Sequence, residues 1–195
     1  MVPRQLAGIG SSPRITSSGV NNIRKEGDAF RILREAEAME FYAQQYFAQL
    51  HGLRPPSPGW EGSCSGGTAY DHWLTNLTTC GPFNSVGAFY DFLVAPVRYC
   101  PQPDLADSYR LRLSDHHKIV FTHADISEEN ILVDETTGDI TGILDWEMAG
   151  YWPSWWEYGK ALYGAWNKEW WRTVVGQIMV EYKNEAELDM DIEMF

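Results

Sequence analysis

The sequence predicts a mixed α/β (α+β) chain, mainly helical and carrying one β-hairpin near its middle. Three observations carry this. "NILVD" and "ITGILDW" are β-rich runs separated by "ETTGD", a strand, turn and strand with Gly138 in the turn. "NSVGAFYDFLVAPV" opens with an Asn-Ser cap signal and keeps helical apolar spacing up to Pro96. From Trp155 onward the pattern is helical again.

In chain order, residues 1–22 are rich in Gly, Ser and Pro and read as loosely ordered. From Ile32 to Leu50, Leu33, Ala36, Ala38, Met39, Phe41, Ala43, Phe47 and Leu50 trace a rough helical apolar face. "GLRPPSPGWEGSCSGG", 52–67, is a long Pro/Gly/Ser loop of the kind that lines sites. A short helix is expected over 104–114, then a strand, "KIVFTHAD", running into a loop. The chain closes on the acidic run "EYKNEAELDMDIEMF", read as a solvated end.

Composition bounds the function. The 195 residues, 44% hydrophobic, suffice for one good core or two small lobes. A net charge of -12 argues against nucleic acid, whose phosphates require Lys and Arg. No apolar run reaches about 18 residues, so no membrane partner is expected. "MVPRQLAGIGSSPR" lacks a signal-type apolar core. Cys64, Cys80 and Cys100 are odd in number and lack metal-type spacing, which suits a reducing compartment, most simply the cytoplasm; Asn76 of "NLT" is then no glycosylation acceptor.

The chemistry concentrates in "HADISEEN" and "ILDWE". An antiparallel hairpin over 131–145 returns its exit to its entrance, so Asn130 and Asp145 come to one end and can share an ion. Magnesium takes hard oxygen ligands, usually one or two carboxylates plus phosphate oxygens, and this pair suits it. Asp125, in the preceding loop, is placed to orient or deprotonate an attacking hydroxyl. His123 reads as a brace for that loop. The plain alternative is a loop that is polar by chance.

"THADISEENILVDETTGDITGILDWEMAGYWPSWWEYGK" resembles the catalytic loop and metal segment of the aminoglycoside phosphotransferase family, in its fungal branch. "QLHGLRPPSPGWEGSCSGG" and "GPFNSVGAFYDFL" resemble the segment ahead of that loop. The resemblance implies a protein-kinase-like fold: a mainly helical large lobe with a catalytic hairpin over 46–180, a remnant of the nucleotide-binding small lobe over 23–45, and an acidic tail over 181–195. It implies transfer of the γ-phosphate of ATP, with Mg2+, to a hydroxyl of an unidentified small molecule. Asp125 would be the catalytic base, and Asn130 and Asp145 the metal ligands. "DWE" rather than Asp-Phe-Gly favours a small-molecule kinase over a protein kinase. Ala124 stands where relatives carry Gly, and Ala resists a positive φ.

"IRKEGDAFRILREAEAMEFYAQQ" resembles the strand bearing the nucleotide Lys and the helix bearing its Glu partner, which implies Lys25 and Glu37 as nucleotide-binding residues. Read from the residues alone, both are equally a solvated Lys and a solvated helix face. "GIGSS" is a weak echo of a phosphate-covering Gly loop. Between Gln45 and Tyr46 the resemblance skips the hinge that would receive adenine, so the small lobe is expected to be truncated. The alternative is then an inactive kinase-like remnant serving as a binding module, whose uncovered upper face favours self-association.

Outside the motif, Trp152, Trp155, Trp156, Trp166, Trp170 and Trp171 read as helix packing rather than a cage for an amine cation. Glu147 and Glu157 read as surface or capping acids, with a cationic substrate as the other option. His51, His72, His116 and His117 share no ligand spacing for zinc.

Overall fold

The computed structural model describes residues 14–17, 23–26, 43–74, 79–134, 139–163 and 168–195. Near the N-terminus, β1 (Arg14–Ser17) and β2 (Ile23–Glu26) pair antiparallel. A helix follows over 43–51 (α1). Three two-residue strands come next: β3 (Gly62–Ser63), β4 (Ala69–Tyr70) and β5 (Thr79–Cys80). Then come α2 (Val86–Val94), α3 (Asp104–Arg112), β6 (Ile119–Thr122), β7 (Ile131–Val133) and β8 (Ile140–Ile143). The chain ends with β9 (Gly150–Pro153), α4 (Trp156–Tyr163), α5 (Glu169–Ile178) and α6 (Lys183–Ile192). This is the expected mixed α/β fold. Among the described residues no helix is long and apolar enough to cross a membrane.

Local chemistry explains several boundaries. Ser85 caps α2, its hydroxyl accepting from the Ala88 N–H at 3.1 Å. Pro96, two residues past its end, cannot continue the ladder. The central sheet runs β3-β9-β6, all antiparallel. Gly150 of β9 pairs with Ser63 of β3. A Cβ there would lie 2.8 Å from the Gly62 carbonyl oxygen, so only glycine fits.

Two apolar clusters flank the chain's middle. The first gathers α2, the flank of α3 and Trp152, Trp155 and Trp156, each no more than 1% exposed. The indoles of Trp152 and Trp156 stack at 5.0 Å, and Trp155 donates to the Tyr90 hydroxyl at 2.8 Å. Each such ring buries about 150–250 Å², on the order of 4–6 kcal/mol of apolar transfer. The packing reading holds for Trp152, Trp155, Trp156 and Trp171, whereas Trp170 stands 53% exposed on the outer side of α5. The cation on Trp156 is the chain's own Lys160, 4.1 Å from its ring centroid. Trp166 lies outside the described residues. The second cluster joins α1, α4 and α5 through Phe47, Ile126, Leu162, Trp171 and Val175, with Ile131, Ile140 and Ile143 of the hairpin against it.

The acidic end departs from expectation. Residues 183–192 form α6, which buries Ala186, Leu188, Asp189 and Ile192 rather than standing in solvent. Lys160 of α4 holds it, at 3.0 Å from Asp189 and 3.1 Å from Glu193. Burial works against the Lys160 charge, but Asp189, Asp71 and Glu193 outweigh it and keep the amine protonated. Leu188 and Ile192, four residues apart, share one face and join the first apolar cluster, while Ala186 turns to the second, so the helix is wedged between the two.

Candidate active site

Strand β6 delivers the loop that carries the candidate residues, and β9 beside it leads within two residues into α4. Strand, loop and helix start are thereby brought together. Glu157, in the first turn of α4 and 2% exposed, reaches under the loop. Its Oε2 accepts from the His123 N–H at 2.6 Å and its Oε1 from the Ala124 N–H at 3.0 Å. Burial pushes the Glu157 carboxyl up to about 7, although both N–H groups favour its charge.

His123 braces the loop from the other side. Its Nδ1 accepts from the Asp125 N–H at 3.2 Å, which leaves Nε2 to donate to the Leu144 carbonyl at 2.8 Å. Burial pushes its pKa down, consistent with a neutral ring. Trp146 packs edge-on to His123 at 4.7 Å and donates to the Ile143 carbonyl at 2.8 Å. The Trp that follows Asp145 thus ties the end of the hairpin to the loop.

Ala124 has φ 66° and is fully buried. The loop does require a positive φ at the position where the resemblance expects Gly, and Ala adopts it under strain. Its methyl belongs to the first apolar cluster and the Ile126 side chain to the second. Asp125, between them, is held at the seam of the two cores.

Asn130 and Asp145 come to the same end of the β7-β8 hairpin, as its antiparallel register dictates: Ile131 pairs with Ile143, and the Leu144 N–H donates to the Asn130 carbonyl at 2.8 Å. Gly138 lies outside the described residues. Both side chains line a cleft of about 280 Å³ with Asp125, His72, Ser127, Glu128, Glu129 and Lys168. The Asn130 amide nitrogen donates to Asp125 twice, at 2.8 Å to the backbone oxygen and 3.1 Å to Oδ2, which turns its Oδ1 away as a spare acceptor. Asp145 is exposed, has φ 61°, and takes no hydrogen bond or ion pair among the described residues. Burial raises the Asp125 pKa, with His72 and the Asn130 hydrogen bond opposing and Asp145 and Asp71 adding to it.

Among the described residues no three His, Cys, Asp or Glu side chains are grouped for a metal. Asn130 Oδ1 and the Asp145 carboxylate, two uncommitted hard oxygens on one cleft, nevertheless fit magnesium, which draws its remaining ligands from water and phosphate. Lys25 lies on β2, its side chain outside the description, and Glu37 lies outside the described residues.

The sequence matches the phosphotransferase enzyme family over residues 24–190. The chain belongs to that family. Its fold is therefore kinase-like, and the chemistry its family is named for is phosphoryl transfer. No curated protein matches it.

Two parts of the site escaped the sequence reading. Glu157 is neither a surface acid nor a substrate ligand but the anchor of the loop; the signal was an acid set directly among the aromatics of "WWEY". His72 reaches the cleft from 53 positions upstream of Asp125, and no local pattern marks it.

Proposed function

We propose that the chain is an ATP-dependent phosphotransferase acting on a hydroxyl of a small molecule. The observation that carries this is the convergence of Asp125, Asn130 and Asp145 on one polar cleft. In this reading Asp125 accepts the hydrogen bond, and then the proton, of the acceptor hydroxyl, and Asn130 fixes that carboxylate. Asn130 Oδ1 and Asp145 hold magnesium, which supplies positive charge to the phosphate oxygens. Lys25 and Glu37 form the ion pair that steadies the nucleotide phosphates.

The hairpin suggests where the base would rest. Leu132 pairs with Gly142, and Leu144 lies two residues further along the same face. Both leucines stand 44–46% exposed beside the cleft, with a glycine between them. A flat, exposed apolar face next to a phosphate-type site suits a planar purine.

The finer reading places the chain in the fungal branch and holds that the adenine hinge is missing between Gln45 and Tyr46. The branch rests on the sequence resemblance alone, and the missing hinge is in keeping with the helix over 43–51, which runs without a break through that junction. Without a hinge edge, nucleotide binding should be weak and turnover slow, because this catalysis is mostly positioning. The same junction favours the second reading, an inactive remnant that binds a partner through its uncovered upper face.

Calorimetry on the 195-residue chain separates them. The phosphotransferase reading expects weak Mg-ATP binding that disappears with EDTA and in Asp145→Ala. No binding in millimolar Mg-ATP supports the remnant, and tight binding with fast turnover would show that the hinge is dispensable.

A further inference from the structure

The cleft has one wall that the phosphotransfer reading leaves idle. His72 lines it beside Asp125, from the turn that follows β4. The turn is built to hold this side chain out. Asp71, fully buried, accepts from the Trp73 N–H at 2.8 Å and from the Trp156 indole at 3.1 Å. One carboxylate thereby fastens the turn to the tryptophan core of α4. The His72 ring lies 4.7 Å from the Trp73 ring and 6.5 Å from Tyr70, and Trp73 lies 5.3 Å from Tyr163. His72 is thus the exposed member of an anchored aromatic row. No hydrogen bond or ion pair commits its ring nitrogens among the described residues.

We propose that His72 is a second acceptor-positioning residue, sharing with Asp125 the hydroxyl that receives the phosphoryl group. The inference rests on the phosphotransferase reading. Asp125 can only accept, and one accepted hydrogen bond leaves an alcohol free to swing about it. A ring N–H donated to one lone pair of the acceptor oxygen removes that freedom and leaves the other lone pair for phosphorus. In the transfer step the acceptor oxygen forms the new bond to the γ-phosphorus and its proton passes to the Asp125 carboxylate. The bond from that phosphorus to the bridging oxygen breaks, its electron pair leaving on ADP. His72 neither gains nor loses a proton.

The test uses the full chain with Mg-ATP and glycerol as a simple acceptor, measuring glycerol phosphate formed against inorganic phosphate released to water. His72→Ala is expected to lower that ratio about tenfold, the effect of one lost hydrogen bond, with the KM for Mg-ATP within about twofold of wild type. His72→Gln, which keeps an N–H, should recover much of the loss. An unchanged ratio in His72→Ala, an equal loss of Mg-ATP affinity, or a Gln variant no better than Ala would each overturn the proposal and leave the phosphotransferase reading standing. A wild-type chain that forms neither product removes that reading, and the role of His72 with it.

Discussion

The catalytic loop and the hairpin that follows it are joined at Asn130, yet they are built on opposite rules. In the loop nearly every polar group is spent inside the protein. The N–H groups of His123 and Ala124 go to Glu157, both His123 ring nitrogens are engaged, and Ala124 and Ile126 are sunk in separate cores. On the hairpin side the opposite holds. Asp145 has no hydrogen bond or ion pair among the described residues, Asn130 keeps a spare oxygen, and Leu132 and Leu144 face solvent. The loop spends its groups on geometry, and the hairpin holds its groups open for something else to satisfy. Both carry a non-glycine residue at positive φ, Ala124 and Asp145. Strain of this kind persists only where the surroundings over-determine the backbone.

The largest effect should come where the two halves meet. Asp125→Ala is expected to lower phosphoryl transfer by about 10²–10⁴-fold, the usual worth of a positioned acid-base group, while Mg-ATP affinity in a binding titration stays near wild type. A variant that keeps most of its turnover would take Asp125 out of the reaction.

Next is the anchor. Glu157→Gln puts an amide NH2 against a backbone N–H, leaving one buried donor unpaired, at about 1–3 kcal/mol. Denaturant melts should show that loss, and turnover should fall by about tenfold or more as the loop relaxes. By contrast Asp145→Asn, which has no protein partner to lose, should leave the melts almost unchanged while abolishing metal-dependent nucleotide binding. Equal destabilisation by the two substitutions would erase the distinction between loop and hairpin.

The anchor also makes a pH prediction of opposite sign for stability and activity. The Glu157 carboxyl has a folded pKa of about 7 against an ordinary 4.5, so the folded state holds its proton more tightly. Its contribution to stability is full below about 4.5 and is lost as pH rises through about 7. Only the ionised form, however, accepts both N–H groups. Turnover should therefore rise over the window in which this part of the stability falls. Melting wild type and Glu157→Gln in parallel from pH 5 to 8 isolates the slope, since Glu61, which burial raises to about 9 with no hydrogen-bond partner for its carboxylate among the described residues, is common to both. Parallel curves would refute the assignment.

The smallest effect is at Ala124. Glycine there relieves about 1–2 kcal/mol of left-handed strain, but gives up about 0.8 kcal/mol of buried methyl and about 0.4–1 kcal/mol of unfolded-chain entropy. The melting temperature should move by only a few degrees. A large loss would mean that the methyl in the first core, rather than the backbone, holds the loop.

Much of this was legible in the residues alone. The β-rich runs "NILVD" and "ITGILDW" about the turn residues "ETTGD" specify a hairpin, and an antiparallel hairpin must return residue 145 to residue 130, so that half of the site follows from local geometry. The cap at Ser85 and the helical spacing of α2 are local for the same reason. The bracing role of His123 follows from its place two residues before Asp125. What the sequence hid depends on contacts between distant parts. Glu157 serves the loop from 34 positions away, because β9 pairs with β6 and turns the start of α4 beneath it. His72 arrives through the packing of its turn on Trp156. The acidic end becomes α6 because Lys160, buried on α4, gives Asp189 and Glu193 a partner. A short polar segment carries no record of the charge it will meet across the core. Periodicity reports which face is apolar, and only the tertiary fold decides which of the remaining polar groups are spent and which are left to bind.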